Sequence, residues 1–121
     1  MTSILKEEKA ERVGGVIHDF DESEKAASRF LDMGFLVSFG GAVTYPDAAE
    51  LHDIVRHVPL DGILIETDSP YMPLYKQSAE KNEPANVAQV ARVLAEIKKI
   101  GIEELIDRTY KNFTVLLNIE D

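Results

Sequence analysis

Gly62-Ile63-Leu64-Ile65-Glu66-Thr67-Asp68-Ser69-Pro70-Tyr71 is the stretch around which the rest of the chain is organised. Its first four residues carry no polar side chain, and Glu66-Thr67-Asp68 follow at once. A short apolar run bounded by turn chemistry predicts a strand buried on both faces, the habit of parallel strands. Asp68 then stands just past the carboxyl end of that strand, where α/β sheets place their ligands. Pro70 forbids further strand and fixes the loop behind the carboxylate.

Outward from this stretch the chain alternates. Ser3 to Arg12 predicts a surface helix, Val13 to Ile17 a strand, and Glu22 to Met33 a helix capped by Asp21 or Ser23, with Gly34 as its left-handed end. Phe35 to Phe39 predicts a second strand and Pro46 to His57 a helix. Past Gly62 to Glu66 lies an irregular segment, Ser69 to Pro84, of a length that is commonly functional. Ala85 to Ile100 predicts a helix stopped by Gly101. A last helix, Glu103 to Leu117, is expected to bury Leu105, Ile106, Thr109, Phe113, Leu116 and Leu117 and to bend near Asn112. The predicted fold class is α/β, with three parallel strands alternating with helices in one domain spanning residues 1–121.

Composition narrows the function. The chain has 121 residues, 45% of them hydrophobic, and carries 13 Lys and Arg against 22 Asp and Glu, a net charge of −9. That balance disfavours passive electrostatic binding to nucleic acid or to an anionic membrane, so a polyanionic substrate would need a metal to receive it. There is no cysteine, which removes disulfides and thiolate metal sites and points to the cytosol. No apolar run reaches membrane length, and the charged residues 1–12 do not read as a secretory signal.

The candidate chemistry lies at three strand ends: His18-Asp19 after the first, Ser38 and Gly40-Gly41 at the second, Glu66-Thr67-Asp68 after the third. An imidazole and a carboxylate converging there would bind a divalent metal or act as an acid–base pair. The competing reading has His18 bonded to backbone and Asp68 capping a turn. His52 reads as a half-buried packing histidine and His57 as a surface residue at a helix C-terminus. Asn82-Glu83-Pro84 reads first as a helix cap and first turn, and otherwise as part of a substrate loop. Asp19, Asp21, Glu22 and Glu24 read as a solvated helix start, with metal ligation by Asp19 as the sharper option.

Several motifs in order then match a family. E-T-D-S-P-Y at Glu66–Tyr71 and N-E-P-A at Asn82–Ala85, with G-G-V-I-H at Gly14–His18 and L-D-M-G-F-L-V-S-F-G-G at Leu31–Gly41, resemble the C-terminal signature of the TatD family of metal-dependent deoxyribonucleases. The resemblance implies the last three units of a (β/α)8 barrel. It also implies a centre of divalent metal (Zn, Mn or Mg) at the carboxyl ends of the strands and phosphodiester hydrolysis in DNA. By this resemblance His18 and Asp68 are metal ligands, Asp68 is the catalytic base, and Glu66, Asn82 and Glu83 line the substrate groove.

Two departures qualify that expectation. The family's H-x-H on its first strand, glutamate on the fourth and histidine on the fifth have no counterpart here. The family's H-C-F-S-G is His18-Asp19-Phe20-Asp21-Glu22, which adds acids where a phosphate would approach. Two ligands do not make a two-metal centre, so the chain alone is expected to be inactive. Three parallel strands also leave two open edges and an uncovered face. That predicts either helices redistributed to both faces, or a partner: a second copy in a dimer or a complementary chain with the missing strands. The alternative is a non-catalytic, possibly engineered α/β scaffold.

Overall fold

The computed structural model describes residues 2–12, 14–67, 69, 74–75 and 83–118. Three strands, β1 (Gly15–Ile17), β2 (Phe35–Phe39) and β3 (Ile63–Ile65), form one parallel sheet in that order. Gly15, Val16 and Ile17 stand opposite Phe35, Leu36 and Val37, and Val37, Ser38 and Phe39 opposite Ile63, Leu64 and Ile65. The helices are α1 (Thr2–Glu7), α2 (Glu24–Asp32), α3 (Ala49–His57), α4 (Val87–Lys98) and α5 (Ile102–Leu116). The alternation predicted from sequence is the observed one.

The boundaries have local causes. The first strand starts at Gly15 rather than Val13: Gly14 adopts φ +76°, which no strand accommodates, and Val13 lies outside the described residues. Ser23 caps α2 by accepting from the Ala26 amide at 3.1 Å, and Gly34 ends it with φ +79°. The helix expected from Pro46 begins only at Ala49, after a turn. Gly62 belongs to a tight turn, its amide bonded to Pro59 O at 2.8 Å, so β3 opens at Ile63. Beyond β3, the Glu66 amide adds one more ladder bond to Phe39 O at 3.0 Å.

Gly101 does not stop α4. Lys99 takes the left-handed position (φ 58°), the Ile100 amide reaches back to Ala95 O at 3.0 Å, and the Lys99 amide to Glu96 O at 3.2 Å. This double closure is a Schellman motif. Its hydrophobic member, Ile100, packs on the core, which favours left-handed backbone at a lysine. Gly101 instead stands at the N-cap of α5.

Side-chain alternation divides the sheet. Phe35, Val37, Phe39 and Ile63 point to the face covered by α2, α3 and α4, where they join Phe20, Phe30, Val55, Val90 and Leu94 in the core. Phe20 meets Phe30 and Phe39 edge-on at centroid distances of 6.4 and 6.1 Å. Each fully buried aromatic or aliphatic side chain contributes about 1.5–3 kcal/mol. The other face carries Val16, Leu36, Ser38 and Leu64. There α5 leans across from the β3 side, bordering two clefts of about 380 Å³ each with Leu36 and with Ser38 and Leu64. α5 thus lies along part of the second face, and α2, α3 and α4 cover the first.

Helix α5 runs without a break from Ile102 to Leu116; the bend foreseen at Asn112 is absent. Asn112 instead donates through Nδ2 to Leu60 O at 2.9 Å and Ile63 O at 2.8 Å, fastening α5 to the start of β3. The burial expected for this helix is half right. Leu105 and Thr109 are buried, whereas Ile106, Phe113 and Leu117 are exposed: among the described residues α5 packs mainly against α4, β3 and the turn before β3.

Candidate functional site

The carboxyl ends of β1 and β3 converge on a single pair. His18 directly follows β1 and Glu66 directly follows β3, and His18 Nε2 lies 2.8 Å from Glu66 Oε1. His18 is 62% exposed, while the Glu66 side chain is largely covered at 13%. The contact lacks the direction of a hydrogen bond, and Oε1 is buried with no hydrogen-bond partner among the described residues. The second oxygen, Oε2, accepts from the Asp19 amide at 3.0 Å.

The backbone is shaped to allow this. Asp19 takes φ 46°, a left-handed conformation that aspartate tolerates better than most residues. This turns its amide towards Glu66. Phe20 continues the tie with its amide on Ser38 O at 2.8 Å. Gly40 supplies the space: a Cβ there would stand 3.1 Å from Glu66 Cγ, tighter than ordinary contact. Sequence reading placed Asp19 first in a solvated helix start, with metal ligation as the sharper option; in the structure its main-chain amide bonds Glu66. The available signal was an aspartate just after a strand, where the chain must turn.

Asp68, Asn82 and the loop positions 70–73 and 76–82 lie outside the described residues. The backbone beside Asp68 is held by Thr67, whose Oγ1 accepts from the Ser69 hydroxyl at 2.7 Å and from the Ser69 amide at 3.4 Å. Further along, the Tyr75 amide donates to Thr44 Oγ1 at 2.9 Å, the Tyr45 and Tyr75 rings meet at 5.7 Å, and Leu74 is buried. The segment after β3 is thus tied to the turn after β2, on the same side of the sheet as His18 and Glu66.

Glu83 is exposed and precedes a helical turn, Pro84–Asn86, without capping it by its side chain. His52 accepts or donates at Val43 O, 2.8 Å away, and is partly buried, as foreseen. His57 sits on the surface, its Nδ1 2.7 Å from Asp53 O and 3.7 Å from Glu24. Asp21, Glu22, Glu24, Glu50 and Asp53 border a cleft of about 460 Å³ between α2 and α3. The potential there repels phosphate.

His18 and Glu66 are the right kinds of donor for a divalent cation, and a buried carboxylate oxygen without a directed hydrogen bond suits one. They are too few. Among the described residues no three histidine, cysteine, aspartate or glutamate side chains converge to hold a metal. The described donor set therefore does not complete a metal site by itself.

The site is thus an imidazole and a carboxylate at the carboxyl ends of a parallel strand–helix sheet. The sequence profile described as TatD related DNase matches residues 1–118, and the chain belongs to that family. It is 44% identical over 118 residues to the metal-dependent hydrolase YcfH of Escherichia coli, covering 98% of this chain and 44% of that protein. It is 40% identical over 119 residues to the metal-dependent hydrolase YabD of Bacillus subtilis, covering 98% and 47%. Among solved structures, YjjV, a TatD homologue from Escherichia coli, superposes with a TM-score of 0.90 at 34% identity, covering 98% of this chain and 46% of that one. A TatD family hydrolase from Entamoeba histolytica follows at 0.82 and 25%, covering 94% and 45%. The chain spans less than half the length of these relatives, and its three strand–helix units correspond to part of their barrel.

Proposed function

We propose that this chain supplies the C-terminal part of a metal-dependent phosphodiester hydrolase acting on DNA, and that alone it is inactive. The observation that carries the reading is the convergence of His18 and Glu66 at 2.8 Å on the carboxyl side of the sheet. In this reading His18 and Asp68 are two of the metal's ligands, Asp68 accepts the proton of the attacking water, and Glu66 orients the imidazole. Glu66, Asn82 and Glu83 border the substrate groove. A bound divalent metal (Zn, Mn or Mg) would supply the positive charge that a DNA phosphate needs beside a chain of net charge −9. The remaining donors come from a partner, either a second copy or a chain with the missing strands. The proposed compartment is the cytosol: the chain has no cysteine, and no described helix is long and apolar enough to cross a membrane.

Two measurements test this. Elemental analysis after dialysis against Zn²⁺ or Mn²⁺ should find little metal on the isolated chain. It should find about half an equivalent or more once a partner is bound, lost in His18→Ala. Metal-dependent cleavage of a phosphodiester reporter should appear only with the partner and vanish in His18→Ala and Asp68→Ala. Full activity of the isolated chain, or activity surviving both substitutions, would overturn the reading.

A second reading, a non-catalytic scaffold, is favoured by the acids Asp19, Asp21 and Glu22 that follow His18 in sequence, two of which border an acidic cleft. Absence of retained metal with or without a partner would select it.

A further inference from the structure

The turn that leads into β3 contains a reactive dipeptide that the fold holds still. Asp61-Gly62 is the only aspartyl- or asparaginyl-glycine in the chain. Glycine lacks the Cβ that would shield its amide nitrogen, so in a freely moving chain the preceding aspartyl carboxyl can reach that nitrogen. The fold cannot give this glycine up: a Cβ on Gly62 would collide with Leu31 Cδ2 of α2. The Asp61 side chain is 73% exposed, so water has access to whatever forms there. Reaction needs two movements: the Asp61 carboxyl carbon must swing onto the Gly62 nitrogen, and that nitrogen must lose its proton. Both groups are engaged. Asp61 Oδ1 accepts from Arg108 of α5, and the Gly62 amide donates to Pro59 O at 2.8 Å. Asn112, one turn beyond Arg108, donates to Leu60 O and Ile63 O and so fixes the backbone on either side. Every side-chain bond named here comes from α5.

We propose that Asp61 is a modification site, converted to isoaspartate when α5 releases the turn, and that Arg108 and Asn112 guard it. In the first step the Gly62 nitrogen bonds to Cγ of the protonated Asp61 carboxyl. The amide proton and the carboxyl hydroxyl leave, together one water, and a succinimide closes. In the second step water opens one of the two imide C–N bonds. Opening at Cγ restores aspartate. Opening at the Asp61 main-chain carbonyl carbon leaves the backbone running through the former side chain, one methylene longer. The sequence of steps needs no oxidant or reductant. The added methylene falls just before Ile63, so β3 loses the register that sets Val37 opposite Ile63. Glu66, at the far end of the same strand, is then displaced from His18. The inference stands apart from the proposed hydrolysis: it concerns how long the strand that carries Glu66 keeps its place.

The test follows isoaspartate at Asp61 by peptide mapping of the full chain during long incubation in warm neutral buffer. Folded wild type should isomerise about ten-fold or more slowly than the same chain in guanidinium chloride. Arg108→Met should speed the folded chain about two- to five-fold, the span of an exposed ion pair. Arg108→Lys, which keeps the cation, should restore most of the protection. Asn112→Ala should also speed the reaction, whereas Arg92→Met, on the exposed side of α4, should leave it unchanged. Circular dichroism checks that each variant stays folded. The comparison of folded with denatured wild type needs no variant, so it decides even where a substitution unfolds the chain. The proposal is overturned if the denatured chain forms no isoaspartate at Asp61, or if folded and denatured wild type isomerise at one rate. It is equally overturned if folded Arg108→Met and Asn112→Ala both isomerise as slowly as wild type.

Discussion

The two faces of the sheet are built from the same three strands by alternating residues, yet they serve different ends. Towards α2, α3 and α4, Val37, Phe39 and Ile63 are sealed among aromatic and aliphatic side chains. On the opposite face Val16, Leu36 and Leu64 keep partial exposure, with α5 leaning over two clefts. The difference lies in what is laid against each face, not in the hydrophobicity of the strands. The first face holds the chain together; the second is only partly covered by the described residues.

The largest test of that contrast is a matched pair of truncations. Phe39→Ala on the sealed face should cost about 3–5 kcal/mol, and Leu64→Ala on the open face about 1 kcal/mol, read by urea denaturation. Equal losses would mean the second face is as well packed as the first. Next comes the tether between α5 and the sheet. Asn112→Ala removes both amide donations to Leu60 O and Ile63 O and should destabilise by about 1–3 kcal/mol. Hydrogen exchange in α5 should accelerate in this variant more than exchange in α2.

At the site itself, Glu66→Ala should cost about 1–2 kcal/mol through loss of the Asp19 amide bond, whereas Glu66→Gln, which keeps an acceptor, should cost less than about 1 kcal/mol. Thermal unfolding of the two variants side by side gives the comparison. The smallest effect concerns Lys98, whose ammonium donates to Arg56 O and Val58 O at the end of α3. Burial lowers its pKa from the ordinary 10.5, so the unfolded chain binds that proton more tightly than the folded one. Stability should therefore rise slightly with pH just below 10.5, and Lys98→Met should remove that slope.

Much of the covered face was legible in the sequence. The run Phe35–Phe39 is a strand with the foreseen ends, Ser23 caps its helix, and Gly34 closes it, because each depends on residues close in sequence. What escaped depends on distant partners. Lys99 in place of Gly101 ends α4 because Ile100 seeks the core, and Asn112 binds β3 instead of bending its helix. The exposed side of α5 reads as buried in a sequence whose helical periodicity cannot tell which neighbour is present. At the site, strand-end position pointed to His18 and Glu66, but their contact follows from the order of β1, β2 and β3 in the sheet.

The bond between the Asp19 amide and Glu66 joins positions 47 residues apart. The bend that closes β1 is therefore not a local hairpin-like event that can form early and wait. Its backbone stays in an unfavourable left-handed conformation until the third strand arrives with the carboxylate that holds it. The turn beside the His18–Glu66 pair should then be among the last parts of the chain to set during folding. In stopped-flow experiments Glu66→Ala should quicken unfolding and leave the refolding rate nearly unchanged.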